Sequence, residues 1–171
     1  MPVVIIIIAI LIVLIFLNIK SMNKRKKTMK ERQLANPLEN ISKEIKIPRA
    51  DLTKSILQVD EPNKKFSVDY EVFNFKDLMD FDYKLDGNTI VSGRGLQTIA
   101  GGFAFGLIGA AAGASGKRKQ KEVIQKATLI LRMDNLTNPT ITISVNPGIA
   151  KSKIMEDVIS TLQYIKLHAD K

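Results

Sequence analysis

Residues 79–92 read MDFDYKLDGNTIVS. Up to Leu85 apolar and polar side chains alternate, which is the period of a strand with one face against a core. Asp86-Gly87-Asn88 breaks the alternation with residues that tolerate positive φ, the chemistry of a tight hairpin turn. The alternation resumes over 89–92, so 79–86 and 89–92 are expected to form a hairpin. Phe81, Tyr83 and Leu85 then face inward, and Asp80, Asp82, Lys84 and Asp86 form a solvated face.

The same period extends on both sides of this hairpin. Upstream, strands are expected at 54–60 (KSILQVD), 64–68 (KKFSV) and 71–75 (EVFNF), with Glu61-Pro62-Asn63 as a turn. Downstream, 123–133 and 139–146 are expected to pair through Asn135-Leu136-Thr137-Asn138. Residues 151–168 change to helical spacing. Ile154, Val158, Leu162 and Ile165 make a stripe widened by Met155 and Ile159, opposite Lys151, Lys153, Glu156, Asp157 and Lys166. An amphipathic helix of this kind caps something apolar. The expected fold class is α+β: a small antiparallel β-sheet or partly open barrel with a C-terminal helix as lid.

The order of elements resembles a known family. The phrases Ile56-Leu57-Gln58-Val59-Asp60-Glu61, Lys64-Lys65-Phe66 and Phe73-Asn74-Phe75-Lys76-Asp77-Leu78 lead to Asp86-Gly87 and then to a glycine-rich block. Together they resemble small prokaryotic membrane-anchored proteins carrying a pleckstrin-homology-like (PH-like) domain with a glycine-zipper insertion. The resemblance covers roughly residues 54–168 and implies binding or tethering rather than catalysis. It transfers no functional residue to this chain.

The other deciding stretch is residues 3–17, VVIIIIAILIVLIFL, which has no polar side chain. Residues 1–19 hold about 17 apolar positions, giving a helix of roughly 25–28 Å beside a hydrocarbon core of about 30 Å. Each central Ile, Leu, Val or Phe favours insertion by roughly 0.3–0.6 kcal/mol, and the run sums to several kcal/mol. A signal peptide would start with a basic region and end in a small-residue cleavage site. This chain starts Met1-Pro2-Val3-Val4 and leaves the run through Phe16-Leu17-Asn18-Ile19-Lys20. A transmembrane helix is therefore expected at 1–19, followed by a basic juxtamembrane segment and linker at 20–53 that Pro37 and Pro48 interrupt.

Charge gives the orientation. Lys20, Lys24, Arg25, Lys26, Lys27, Lys30 and Arg32 follow the apolar run. Lys and Arg stay on the cytoplasmic side, so a single-pass protein with its N-terminus outside and its body in the cytoplasm is expected. Each such charge attracts anionic lipid by about 1 kcal/mol near the surface. Residues 1–47 carry a net +6, 48–92 a net −3 and 93–171 a net +6. Positive charge thus gathers beside the apolar blocks rather than on a folded domain interleaved with aromatics, which argues against nucleic acid.

The second apolar block, 99–114, reads IAGGFAFGLIGAAAGA. Gly102, Gly106, Gly109, Gly113 and Gly116 alternate spacings of four and three, which on a helix forms one bare face for close packing of another helix. Arg94 precedes the block and Lys117, Arg118, Lys119 and Lys121 follow it. The strands on either side should share one sheet, which makes a true second span the least favoured reading. An interfacial or re-entrant hairpin, or a helix packed on the domain, is expected for an insertion at 98–116.

Catalytic patterns fail one by one. A phosphate loop ending at Gly116-Lys117 would need glycine at Ala111 and a hydroxyl at Arg118. Gly93-Arg94-Gly95 meets Thr98 where a dinucleotide fingerprint needs its third glycine. An EF-hand begun at Asp82 meets Lys84 and Gly93 at ligand positions. His168 is the only histidine, and there is no cysteine, so thiolate chemistry, disulfides and cysteine-ligated zinc are excluded. Asn40-Ile41-Ser42 and Asn135-Leu136-Thr137 match glycosylation acceptors, a pattern that also occurs by chance. No enzyme, metal or cofactor is expected. The leading expectation is a non-enzymatic membrane-tethered binding or scaffolding module with a protein partner or a second copy. The alternative is a membrane-active glycine-zipper protein that oligomerises and alters permeability or blocks translocation.

Overall fold

The computed structural model describes residues 2–35, 37–93 and 123–169. It opens with helix α1 at Pro2–Ala35. The helix continues well past the apolar run because Lys, Arg, Met, Glu and Gln are good helix formers and no glycine or proline interrupts them. It stops just ahead of Pro37, where the proline ring disfavours helical backbone in the preceding residue. The expected helix end at residue 19 is thus only the end of its apolar half. Every described large apolar side chain from Val4 to Ile19 is at least half exposed.

Among the described residues eight strands follow: β1 at Lys43–Pro48, β2 at Lys54–Asp60, β3 at Lys65–Val68, β4 at Glu71–Asn74, β5 at Leu78–Leu85, β6 at Asn88–Ser92, β7 at Ala127–Met133 and β8 at Thr140–Val145. They form two antiparallel sheets of four, ordered β1-β2-β3-β4 and β6-β5-β7-β8. The sheets meet at one corner, where Arg49 bridges to Val145, Ala50 N donates to Ser144 O at 3.0 Å and Asn146 N donates to Pro48 O at 2.9 Å. No closed barrel results. Helix α2 at Lys153–Leu167 covers the opening between the sheets and buries Met155, Val158, Ile159, Leu162 and Ile165. Ile154, expected in that stripe, is 38% exposed, so the buried face is centred one residue further on.

Seven of the eight strands and α2 lie where the alternation places them. Strand β1 does not: it falls in the stretch expected to be linker. Its apolar signal is only Ile45 and Ile47, and Pro48 closes it. Proline is tolerated there because β1 is an edge strand that needs no complete ladder of N–H donors. The β domain therefore begins at Lys43 rather than Lys54.

The expected face of β5 also needs correction. Phe81, Tyr83 and Leu85 do point into the core, but Asp80 and Asp82 are buried at 5% and 7% exposure rather than solvated. An irregularity in the β5–β7 register between Leu78 and Asp80 leaves Met79 exposed. Tyr83 is fully buried, and its hydroxyl donates to Ala150 O at 2.7 Å, tying β5 to the approach to α2. Burial pushes this phenol well above its ordinary pKa. Tyr83→Phe leaves a buried carbonyl without its donor. It is expected to lower the unfolding free energy by about 1–3 kcal/mol in denaturant titrations, while a loss under about 0.5 kcal/mol would show that Ala150 O finds another donor.

Candidate functional site

The basic half of α1 does not hang free. Met22, Arg25, Met29 and Arg32 recur at helical spacing and are the partly covered positions of this half of the helix. Arg25 is the centre of the contact. Its guanidinium donates to Asp69 Oδ2 at 2.6 Å, Thr53 Oγ1 at 2.8 Å, Ser55 Oγ at 3.1 Å and Lys54 O at 3.3 Å. A planar fork with five donors suits this divided set of acceptors in a way that a lysine ammonium does not. Seven residues on, Arg32 pairs with Glu71 at 2.8 Å, and Glu71 also accepts from Asn138 Nδ2. Asp69 is held from its other side by Ile56 N at 3.0 Å and sits in left-handed backbone at φ 51°.

The seven basic residues expected to flank the membrane thus divide into two sets. Arg25 and Arg32 join the helix to the β1–β2 turn, the start of β2 and the β3–β4 region of the domain. Lys20, Lys24, Lys26, Lys27 and Lys30 remain exposed on the rest of the helix surface, with Lys27 only 3.9 Å from Glu31. Sequence reasoning treated the seven alike. The periodicity of Met22, Arg25, Met29 and Arg32 within a charged run was the signal that separates them.

Gly102, Gly106, Gly109, Gly113, Gly116, Lys117, Arg118, Lys119 and Lys121 lie outside the described residues. What is described is where the chain leaves the sheet and rejoins it. Strands β6 and β7 flank β5, both antiparallel to it, and so run parallel to each other. Both ends of the insertion therefore belong to one sheet, as expected. Ser92 stands opposite Asp82, whereas Ala127 stands opposite Leu85. The two ends thus lie at different levels of β5 and on opposite sides of it, as the ends of a crossover between parallel strands do. The return of the insertion is pinned by Asp86, whose Oδ1 accepts from Gln125 N at 3.0 Å and Lys126 N at 2.8 Å.

Its departure is built around the two buried carboxylates. Arg132 donates to Asp80 Oδ2 at 3.2 Å and to Asp82 Oδ2 at 2.7 Å. Lys166 of α2 donates to Asp80 Oδ1 at 3.2 Å and to Gly93 O at 3.0 Å. Burial alone would raise the Asp82 carboxyl, but hydrogen bonds from Ser92 and Arg132 and the charges of Arg132 and Lys84 outweigh it and hold it below its ordinary range. A Cβ on Gly93 would lie 2.4 Å from Asp80 Oδ1, so the glycine is required by close approach. Two cations, Arg132 and Lys166, thus face the two carboxylates of Asp80 and Asp82.

A shallow cavity of about 290 Å³ lies between the start of β1 and the end of α2, lined by Ser42, Lys43, Val59, Glu61, Ser160, Thr161 and Tyr164. The Tyr164 hydroxyl donates to Glu61, and the ring stacks on His168 at 4.0 Å. Among the described residues no group of three or more His, Asp or Glu side chains is arranged to hold a metal ion.

The helix–domain contact is open to a direct test. A double-mutant cycle of Arg25→Gln and Asp69→Asn keeps polar side chains at both positions and leaves Asp69 replaced by a residue that tolerates left-handed backbone. The pair is partly buried, so a coupling of about 1–2 kcal/mol is expected in the unfolding of the full chain in detergent. Additive effects would mean that the helix and domain are not energetically joined there.

Comparison with known proteins agrees with this architecture. No curated protein and no solved structure matches the chain. The family described as "Glycine zipper containing PH domain" matches residues 43–147, from the first residue of β1 through the end of β8. The α+β fold, with two four-stranded sheets, a C-terminal helix and an insertion between β6 and β7, places this chain in the family of glycine-zipper-containing PH domains.

Proposed function

We propose that this protein is a membrane-tethered, non-enzymatic binding or scaffolding module that works at the cytoplasmic membrane surface. The observation that carries this reading is the unbroken α1, long and apolar enough to cross a membrane, whose exposed apolar half leads directly into a half docked on the PH-like domain. In water the apolar half would leave its large side chains solvated, a cost that a bilayer removes. The exposed Lys20, Lys24, Lys26, Lys27 and Lys30 favour the cytoplasmic side and anionic lipid there. In this reading the domain presents its surface to a protein partner or to a second copy, and the cavity between β1 and α2 is one concave feature available for it. Protease added to intact cells should leave the C-terminus untouched and should digest it in inverted vesicles. Digestion in intact cells would reverse the orientation and remove the cytoplasmic role.

A second reading, a membrane-active oligomer that alters permeability or blocks translocation, is favoured by the glycine spacing of four, three, four and three from Gly102 to Gly116. A helix face without side chains permits close helix packing in lipid. Replacing Gly106 and Gly109 together by leucine should then abolish crosslinked species in membranes. Unchanged crosslinking would leave the tethered module as the sole reading.

A further inference from the structure

Two hairpins of this chain close through two-residue turns of the same geometry and different sequence. Asp86-Gly87 joins β5 to β6, with Leu85 opposite Asn88, and its residues lie at φ 48° and 88°. Asp69-Tyr70 joins β3 to β4, with Val68 opposite Glu71, at φ 51° and 63°. Such a turn needs positive φ at both central residues, and its second position suits glycine best. The β5–β6 turn follows that preference, and nothing lies within 4 Å of the place where a side chain would start at Gly87. The β3–β4 turn carries a tyrosine there, in backbone that bulky side chains rarely adopt.

The neighbours of the β3–β4 turn account for its sequence. Each residue from 69 to 71 meets α1 or the segment that leaves it. Asp69 Oδ2 accepts from Arg25 at 2.6 Å, and Glu71 pairs with Arg32 at 2.8 Å. Half-buried Tyr70 lines a gap of about 60 Å³ with Gln33 of α1 and with Pro37, Leu38 and Ile41 just beyond it. The turn is also tied to β2, since Asp69 N donates to Ile56 O at 2.8 Å and Asp69 Oδ1 accepts from Ile56 N at 3.0 Å. Residues in sparsely populated backbone persist only where their surroundings over-determine them. Here a large part of those surroundings is the helix.

We infer that α1 and the β3–β4 turn form one conformational unit: the docked helix holds Asp69-Tyr70 in its left-handed form, and withdrawal of the helix releases the turn. A glycine turn would stand without help and would be indifferent to the helix. The Asp-Tyr turn stands while Arg25, Arg32 and the segment at 37–41 are seated, which makes it a two-state element biased by the position of α1. Release frees the Asp69 and Glu71 carboxylates from their arginines and uncovers the Tyr70 ring. A change at the helix is thereby read out as a change of surface at β4, an edge of the first sheet. The joint is too short to be shared between molecules, because α1 ends at Ala35 and Asn40 N is already held by Asp60 Oδ2 at 3.1 Å. The inference goes beyond tethering and uses only the docked half of α1, so it does not depend on lipid around the apolar half.

The test is hydrogen exchange of the Asp69 amide, followed by NMR in the full chain in detergent micelles. The Asp86 amide, which donates to Lys126 O at 2.8 Å, is the internal reference in the glycine turn. Arg25→Gln is expected to speed exchange at Asp69 roughly tenfold and to leave Asp86 within about twofold of its starting rate. In a Tyr70→Gly background the same Arg25→Gln change should speed Asp69 exchange by less than about threefold, because glycine keeps the left-handed form unaided. Unchanged exchange at Asp69 in Arg25→Gln overturns the inference. Equal acceleration at Asp69 and Asp86 reports general unfolding and overturns it too, as does a tenfold effect that persists with Tyr70→Gly. Chymotryptic cleavage after Tyr70 gives a second readout. It should quicken in Arg25→Gln, and an unaltered rate counts against the released turn.

Discussion

The architecture turns on one guanidinium. Arg25 reaches a carboxylate, two hydroxyls and a backbone carbonyl drawn from the β1–β2 turn, the start of β2 and the β3–β4 turn, so a single side chain ties three places to one helix. Each hydrogen bond of an ionised group is worth more than a neutral one, yet exposure at the helix surface limits the total to an order of 1–2 kcal/mol. Its effect is larger than that energy because of where it acts. Pro48 and Arg49 at the base of the same turn join the two sheets, through Asn146 N and the bridge to Val145. Helix, first sheet and second sheet therefore all make contact at one corner.

The fold was legible where burial imposes a period. Tyr83, Phe81 and Leu85 are inward because a strand facing the core turns alternate side chains to it, and β7 and β8 alternate cleanly in burial. Strand β1 was not legible, since Ile45 and Ile47 are too few to establish a period and Pro48 reads as a breaker. Its evidence is non-local: it is a strand because β2 offers it six register partners. The extent of α1 was hidden for a different reason. A hydrophobic run announces its own end through polarity, but a helix ends only where backbone chemistry stops it, here at Pro37.

Charge was the least legible layer. A run of seven basic residues reads as one lipid-facing flank, and only a docked domain reveals that Arg25 and Arg32 are spoken for by Asp69 and Glu71. Likewise Asp80 and Asp82 alternate with apolar neighbours as solvated residues do, but Arg132 and Lys166 come from 50 or more residues away to neutralise them. Paired burial of opposite charges depends on sequence-distant partners, and local patterning has no access to those. The same cluster explains Gly93: the carboxylate of Asp80 fills the space a side chain would occupy.

The parallel course of β6 and β7 on either side of β5 has a consequence for the glycine insertion. A segment sewn into a sheet at both ends is not a tail that comes and goes independently; it is a loop with two anchored feet. One foot stands at Gly93 beside Lys166, the other at Lys126 beside Asp86, and the strand between them is the most buried in its sheet.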